Sequence, residues 1–158
     1  MAIRQGGLRQ SSRRPEVRVI RMSSIFWLRL HGGATHFPIA FIFGAAFFDA
    51  LGFFCSSRRR EFQTIGYWLL VLGALGSFGA VFSGLAVSKW NVIGTGLLLQ
   101  HHLFVWPVFA LIVGLTSWRV AVGGSPSGRA FAIYLSVLAI TCALVGAAGF
   151  SGGELLGH

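Results

Sequence analysis

Four runs of mostly apolar residues constrain this chain more than any other feature of its sequence. They cover residues 37–54, 65–87, 97–118 and 130–150. A membrane-spanning helix needs about 20 such residues. Charged residues make up only 11% of the chain, whereas a soluble domain has about a quarter. The sequence therefore predicts an all-α integral membrane protein.

The connections between the four runs are short, which favours antiparallel neighbours. We therefore expect an up-down bundle of four transmembrane helices. Residues 31–158 form this domain, and residues 1–30 form a basic N-terminal tail that is either free or interfacial. No internal repeat is evident from the sequence.

The net charge of +9 raises the question of nucleic acid, but the placement of the basic residues argues against it. Seven of the thirteen basic residues precede the first run, and the others lie in connections. Such placement is typical of topology control and of attraction to anionic lipid. No folded basic surface with interleaved aromatic residues is present. The expected surroundings are the lipid bilayer, without nucleic acid.

Arginines also bear on orientation. The connections 55–64 and 119–129 carry Arg58, Arg59, Arg60, Arg119 and Arg129. Positive residues favour the cytoplasm, so we expect both termini in the periplasm of a bacterial inner membrane. This requires either that the chain starts at Met22, which removes most tail arginines, or that residues 17–30 lie along the membrane interface.

In a four-span bundle, all five histidines collect at one membrane face. His36 opens the first span, and His101 and His102 lie about one turn into the third, which runs parallel to it. At 1.5 Å rise per residue these imidazoles lie at similar depth. Two helices can then present imidazoles to one iron, as in a bis-histidine haem b. His31 and His158 are expected to be interfacial.

His101 and His102 point about 100° apart on a helix, so only one of them can face the site. The small residues farther along the third span favour His102. The second span is rich in glycine, with small residues at Gly76, Ala80 and Gly84. This stripe indicates close helix packing, or room for a flat macrocycle.

Other polar residues extend the candidate site. Arg29 is the arginine available for a haem propionate at the histidine face. Asp49 is expected either to pair with an arginine (Arg58, Arg119 or Arg129) or to carry protons to a quinone. Glu154 is expected to serve similarly or to pair with Lys89. Neither cysteine belongs to a Cys-x-x-Cys-His motif, which excludes covalent c-type haem.

Several motifs together resemble the domain of unknown function 2231 family of bacterial membrane proteins. They are His31, Thr35-His36-Phe37-Pro38-Ile39-Ala40, Phe48-Asp49-Ala50-Leu51-Gly52 and the final Gly152-Gly153-Glu154-Leu155-Leu156-Gly157-His158. The resemblance implies four helices and association with respiratory electron-transfer partners. It implies no established reaction.

The predicted function is a small cytochrome b-like electron-transfer subunit that binds haem b. His36 and His102 are the expected axial ligands, with His101 as the alternative to His102. The protein would pass electrons between the quinone pool and a membrane or periplasmic redox subunit within a hetero-oligomeric complex. The alternative is a non-catalytic accessory subunit of a respiratory or photosynthetic complex. As an enzyme, it would be at most a subunit of an oxidoreductase.

Overall fold

The computed structural model describes residues 14–123, 126 and 128–157. Residues 1–13 of the predicted basic tail and His158 lie outside these residues. A short 3₁₀ turn, Ser56–Arg58, joins the first two of the four long helices. The helices are α1 (Arg14–Phe54), α2 (Arg59–Val87), α3 (Leu97–Ala121) and α4 (Gly128–Gly157).

All four helices of the described chain are long and apolar enough to cross a membrane. The prediction of an all-α membrane protein is confirmed. The largest difference from the predicted spans is in α1, whose candidate span starts at Met22 instead of residue 37. The first predicted span begins beside Pro38, because proline is tolerated in the first turn of a helix. The helix instead continues through it, and the ring of Pro38 packs against Gly76 of α2.

Glycines of α2 allow its backbone to approach α1 closely. A Cβ atom added at Gly73 would lie 2.7 Å from Ile42, and one added at Gly76 would lie 3.2 Å from Pro38. Neither position has space for a larger side chain unless its neighbour moves. These contacts support helix packing as the role of the small residues in α2.

The bundle consists of two hairpins, α1–α2 and α3–α4. The hairpins meet where α2 contacts α3 and α1 contacts α4, so α1 and α3 stand on one diagonal. We call the end with the α2–α3 connection the histidine end. The opposite end, with the α1–α2 and α3–α4 connections, is the arginine end.

The two hairpins repeat one another, which the sequence analysis missed. Buried residues of α1 correspond to buried residues 70 positions later in α3, and a slightly smaller constant offset relates α2 to α4. The buried pairs are Pro38 and Val108, Ile42 and Ile112, Ala45 and Leu115, Asp49 and Arg119, Leu70 and Leu138, Ala74 and Cys142, and Ser77 and Val145. Two parallel repeats of this kind are a known architecture of membrane proteins.

Candidate functional site

The histidine end brings together four of the five histidines, as predicted. They are His31 and His36 on α1, and His101 and His102 on α3. The two helices enter the bundle at this end. Two of the rings also contact the neighbouring helix of their own hairpin. Helix rise alone does not predict these contacts.

His31 of α1 is held by α2. Its Nδ1 atom lies 3.0 Å from the carbonyl oxygen of Ala80 and 3.1 Å from Ser83 Oγ. The ring edge packs on Gly84, where an added Cβ would lie 2.9 Å from His31 Cε1. A glycine at position 84 is therefore what leaves space for the imidazole between the helices.

His101 of α3 is held by α4 in the same way. Its Nδ1 atom lies 3.1 Å from the carbonyl oxygen of Ala148 and 3.2 Å from Ser151 Oγ. A Cβ added at Gly152 would lie 3.1 Å from His101 Cε1. His31 and His101 are thus equivalent residues of the two repeats, with equivalent partners.

This geometry fixes the protonation pattern of a neutral imidazole. A carbonyl oxygen can only accept, so Nδ1 of His31 and of His101 carries the hydrogen. The lone pair then belongs to Nε2, which forms no hydrogen bond with the described residues in either ring. Each ring is arranged as a metal-binding histidine is, with Nδ1 oriented by a carbonyl.

His102 and His36 have different surroundings. His102 is 8% exposed and its Nδ1 lies 3.0 Å from the carbonyl oxygen of Ile93. Its counterpart in α1 is Gly32, so it has no matching imidazole. His36 is exposed, and its Nδ1 contacts the carbonyl of Gly32 on its own helix at 2.6 Å. His36 and His102 as a ligand pair stay a prediction.

Arg29 and Glu154 are both exposed. Arg29 lines an open groove with Met22 and Phe26. Residues two apart on a helix point about 200° apart, so Arg29 and His31 face opposite sides of α1. The expected pair of Glu154 with Lys89 is not formed; the described side chains contain one ion pair, at the other end of the bundle.

That ion pair joins Asp49 of α1 to Arg119 of α3. Arg119 Nη1 donates to Asp49 Oδ2 at 2.7 Å, and both side chains are fully buried. Tyr134 Oη donates to the same oxygen at 2.7 Å, and Arg119 Nη2 donates to the carbonyl of Gln63 at 2.8 Å. All four helices therefore meet in one polar cluster. Of the three predicted partners of Asp49, Arg119 is the one it contacts.

Packing completes this cluster. The Arg119 guanidinium lies 4.8 Å from the centre of the Tyr134 ring, which in turn stacks on Trp118. A Cβ added at Gly66 would collide with Asp49 Oδ1, which has no hydrogen-bond partner among the described residues. The pair links the repeats across the diagonal, which is the structural role that the sequence analysis weighed against proton transfer.

The sequence did contain a signal for the repeat and for His31. Both α2 and α4 contain Ala-x-Phe-Ser-Gly near their ends, at residues 80–84 and 148–152. The alanine carbonyl, the serine and the glycine of each copy are the groups that contact the histidine. His31 was interpreted as interfacial because its depth was considered without its partner on α2.

The fold and these two polar sites define a four-helix membrane protein built from two parallel hairpins. The chain matches the family model described as "Predicted membrane protein (DUF2231)" over residues 28–157. It belongs to that family. No curated protein and no solved structure matches the chain.

Proposed function

We propose that this protein is a small cytochrome b-like membrane subunit with His31 and His101 as the axial ligands of a haem b. One observation carries the proposal: two equivalent imidazoles, one in each hairpin, have Nδ1 held by a backbone carbonyl. Ligating histidines usually have such a partner, because it orients the ring and raises the basicity of Nε2. The proposal replaces His36 and His102 as the favoured ligands.

The residues around the rings fit this role. Gly84 and Gly152 leave the ring edges against backbone, and Ser83 and Ser151 provide a second polar contact for Nδ1. The matched arrangement gives each hairpin one ligand. A porphyrin between two hairpins is a common use of a helix bundle.

When bound, haem b supplies a one-electron iron couple whose potential depends on its ligands and burial. The chain would orient both imidazoles and keep the site within an apolar bundle. We propose that electrons pass between the quinone pool and a redox subunit at the histidine end, within a hetero-oligomeric complex. We also propose a bacterial inner-membrane location with both termini in the periplasm.

An absorption spectrum tests the ligands. The full chain is purified in detergent after expression with sufficient haem, and reduced-minus-oxidised spectra are recorded with dithionite. We expect a sharp b-type α-band in the wild type. His31→Ala and His101→Ala should each abolish the bis-histidine low-spin signal. His36→Ala is the matched control and should retain it.

His102→Ala separates this proposal from the ligand pair that the sequence predicted. It should keep both the band and the low-spin signal. Loss of the signal in His36→Ala and His102→Ala, with retention in His31→Ala, would restore the earlier pair. A folded but colourless wild type would overturn the haem and favour a non-catalytic accessory subunit.

A further inference from the structure

The arginine end contains a cavity of about 280 Å³ between α1, α2 and α4. Phe53 and Phe131 form apolar walls, and Gln63 lies at its inner side. Arg59 and Arg129 also line it, together with Pro126, Gly128 and Ala132. The cavity lies at the opposite end of the bundle from the histidines, so a ligand bound there does not require haem.

Both arginines have charge that the described residues leave uncompensated. Arg59 Nε donates to the carbonyl of Gly52 at 3.2 Å, and the remaining guanidinium nitrogens form no ion pair there. Arg129 is exposed in the first turn of α4. The acidic residues described at this end are Asp49, which pairs with Arg119, and Glu61, which does not line the cavity.

The position of the cavity indicates a ligand from the membrane. Arg59 begins α2 and Arg129 lies in the first turn of α4, and both helices are long and apolar enough to span the bilayer. The cavity offers two cations beside aromatic walls, which suits an anion attached to an apolar body. Its volume lies slightly below the range of about 300–1,000 Å³ for small-molecule pockets. That volume suits a headgroup better than a whole lipid.

We propose that this cavity binds the headgroup phosphate of an anionic phospholipid between Arg59 and Arg129, with the start of the acyl chains along Phe53 and Phe131. Guanidinium groups bind phosphate through charge-assisted hydrogen bonds. Basic pockets between membrane helices are known sites for anionic headgroups. The bound lipid would connect the α1–α2 connection to the start of α4.

Native mass spectrometry of the full chain tests the site. Phosphatidylglycerol and phosphatidylcholine are titrated in turn, and the bound fraction is measured. We expect phosphatidylglycerol to bind, and Arg59→Gln and Arg129→Gln each to weaken it about tenfold, the effect of losing one charge-assisted hydrogen bond. Circular dichroism and size-exclusion chromatography check that each variant folds.

Arg58→Gln and Arg60→Gln are the matched controls, because both residues lie at the same end and neither lines the cavity. Each should leave phosphatidylglycerol binding within about twofold of the wild type. If the control variants lost as much phosphatidylglycerol binding as the cavity variants, the site would be overturned, because any arginine at this end would then attract the lipid equally. Equal binding of phosphatidylcholine would overturn it too. Inorganic phosphate that competes at millimolar concentration would show a phosphate site instead of a lipid site.

Discussion

The two hairpins are alike at one end of the bundle and opposite at the other. At the histidine end, His31 and His101 have the same partners in the same geometry. At the arginine end, the equivalent positions carry Asp49 and Arg119, which pair with each other. Equivalent positions of two repeats can both carry a neutral imidazole, whereas two charged residues that are buried in contact need opposite charges.

Removing one charge of the Asp49–Arg119 pair should produce the largest loss of stability among these variants. Asp49→Ala leaves the fully buried Arg119 without its carboxylate, which costs about 3–5 kcal/mol in the free energy of unfolding. Unfolding in a mixed-detergent titration measures it. The exchange Asp49→Arg with Arg119→Asp should recover part of the loss, because the two positions are equivalent.

Glu61→Ala is the control for this variant. Glu61 is exposed near the start of α2, so its loss should cost less than about 1 kcal/mol. If Asp49→Ala cost no more than Glu61→Ala, the cluster would not be what joins the hairpins. If the exchange recovered nothing, the equivalence of the two positions would be contradicted.

Filling the space beside the imidazoles should have the next largest effect. Alanine at position 84 or 152 would press its Cβ against a ring held by two hydrogen-bond partners, and overpacking costs about 1–3 kcal/mol. The loss should be larger for Gly84→Ala, because its clash distance is 2.9 Å against 3.1 Å for Gly152→Ala. The same detergent titration ranks them.

Gly79→Ala and Gly153→Ala provide matched controls, since an added Cβ meets no atom within 4 Å at either site. A helical glycine replaced by alanine in open space should gain about 0.5–1 kcal/mol. Stability should therefore fall when Gly84 or Gly152 is replaced by alanine and rise when Gly79 or Gly153 is. Stabilisation by Gly84→Ala would contradict the packing of His31 on α2.

The smallest expected effect comes from removing the serine contact of each imidazole, and it tests whether the two repeats hold their histidines equally. Ser83→Ala and Ser151→Ala each remove one contact of Nδ1 and keep the carbonyl. Each should cost about 0.5–1 kcal/mol, the usual value for a hydrogen bond between membrane helices. The two costs should agree within error. Ser136→Ala, whose hydroxyl is exposed and bonds within its own helix, is the reference.

Much of the fold followed from the sequence because bilayer thickness and hydrophobic run length are directly related. The predicted third span, 97–118, starts where α3 does. α1 extends well before residue 37, where the first predicted span begins. A proline inside a helix has the same local sequence pattern as a proline at a helix start. Only the packing of Pro38 on Gly76 distinguishes the two.

The candidate sites were harder to predict from the sequence. Helix rise gives the depth of a residue in the membrane, but it does not give the direction of its side chain relative to the other helices. His36 and His31 lie close together along α1, yet they point to different sides of it. Which side is buried depends on where α2 packs, which a single helix does not reveal. Asp49 had three arginines within reach by depth. Only the repeat singles out Arg119, because it places Asp49 and Arg119 at equivalent positions of the two hairpins.

The opposite charges of Asp49 and Arg119 also affect the order in which the chain assembles. During synthesis the first hairpin enters the membrane before α3 exists, so Asp49 lacks the partner that it has in the complete fold, and an unpaired charge in an apolar medium is costly. Pairing with a second copy of the same hairpin would bring two carboxylates together. We therefore expect the first hairpin to be less stable until the second hairpin supplies Arg119.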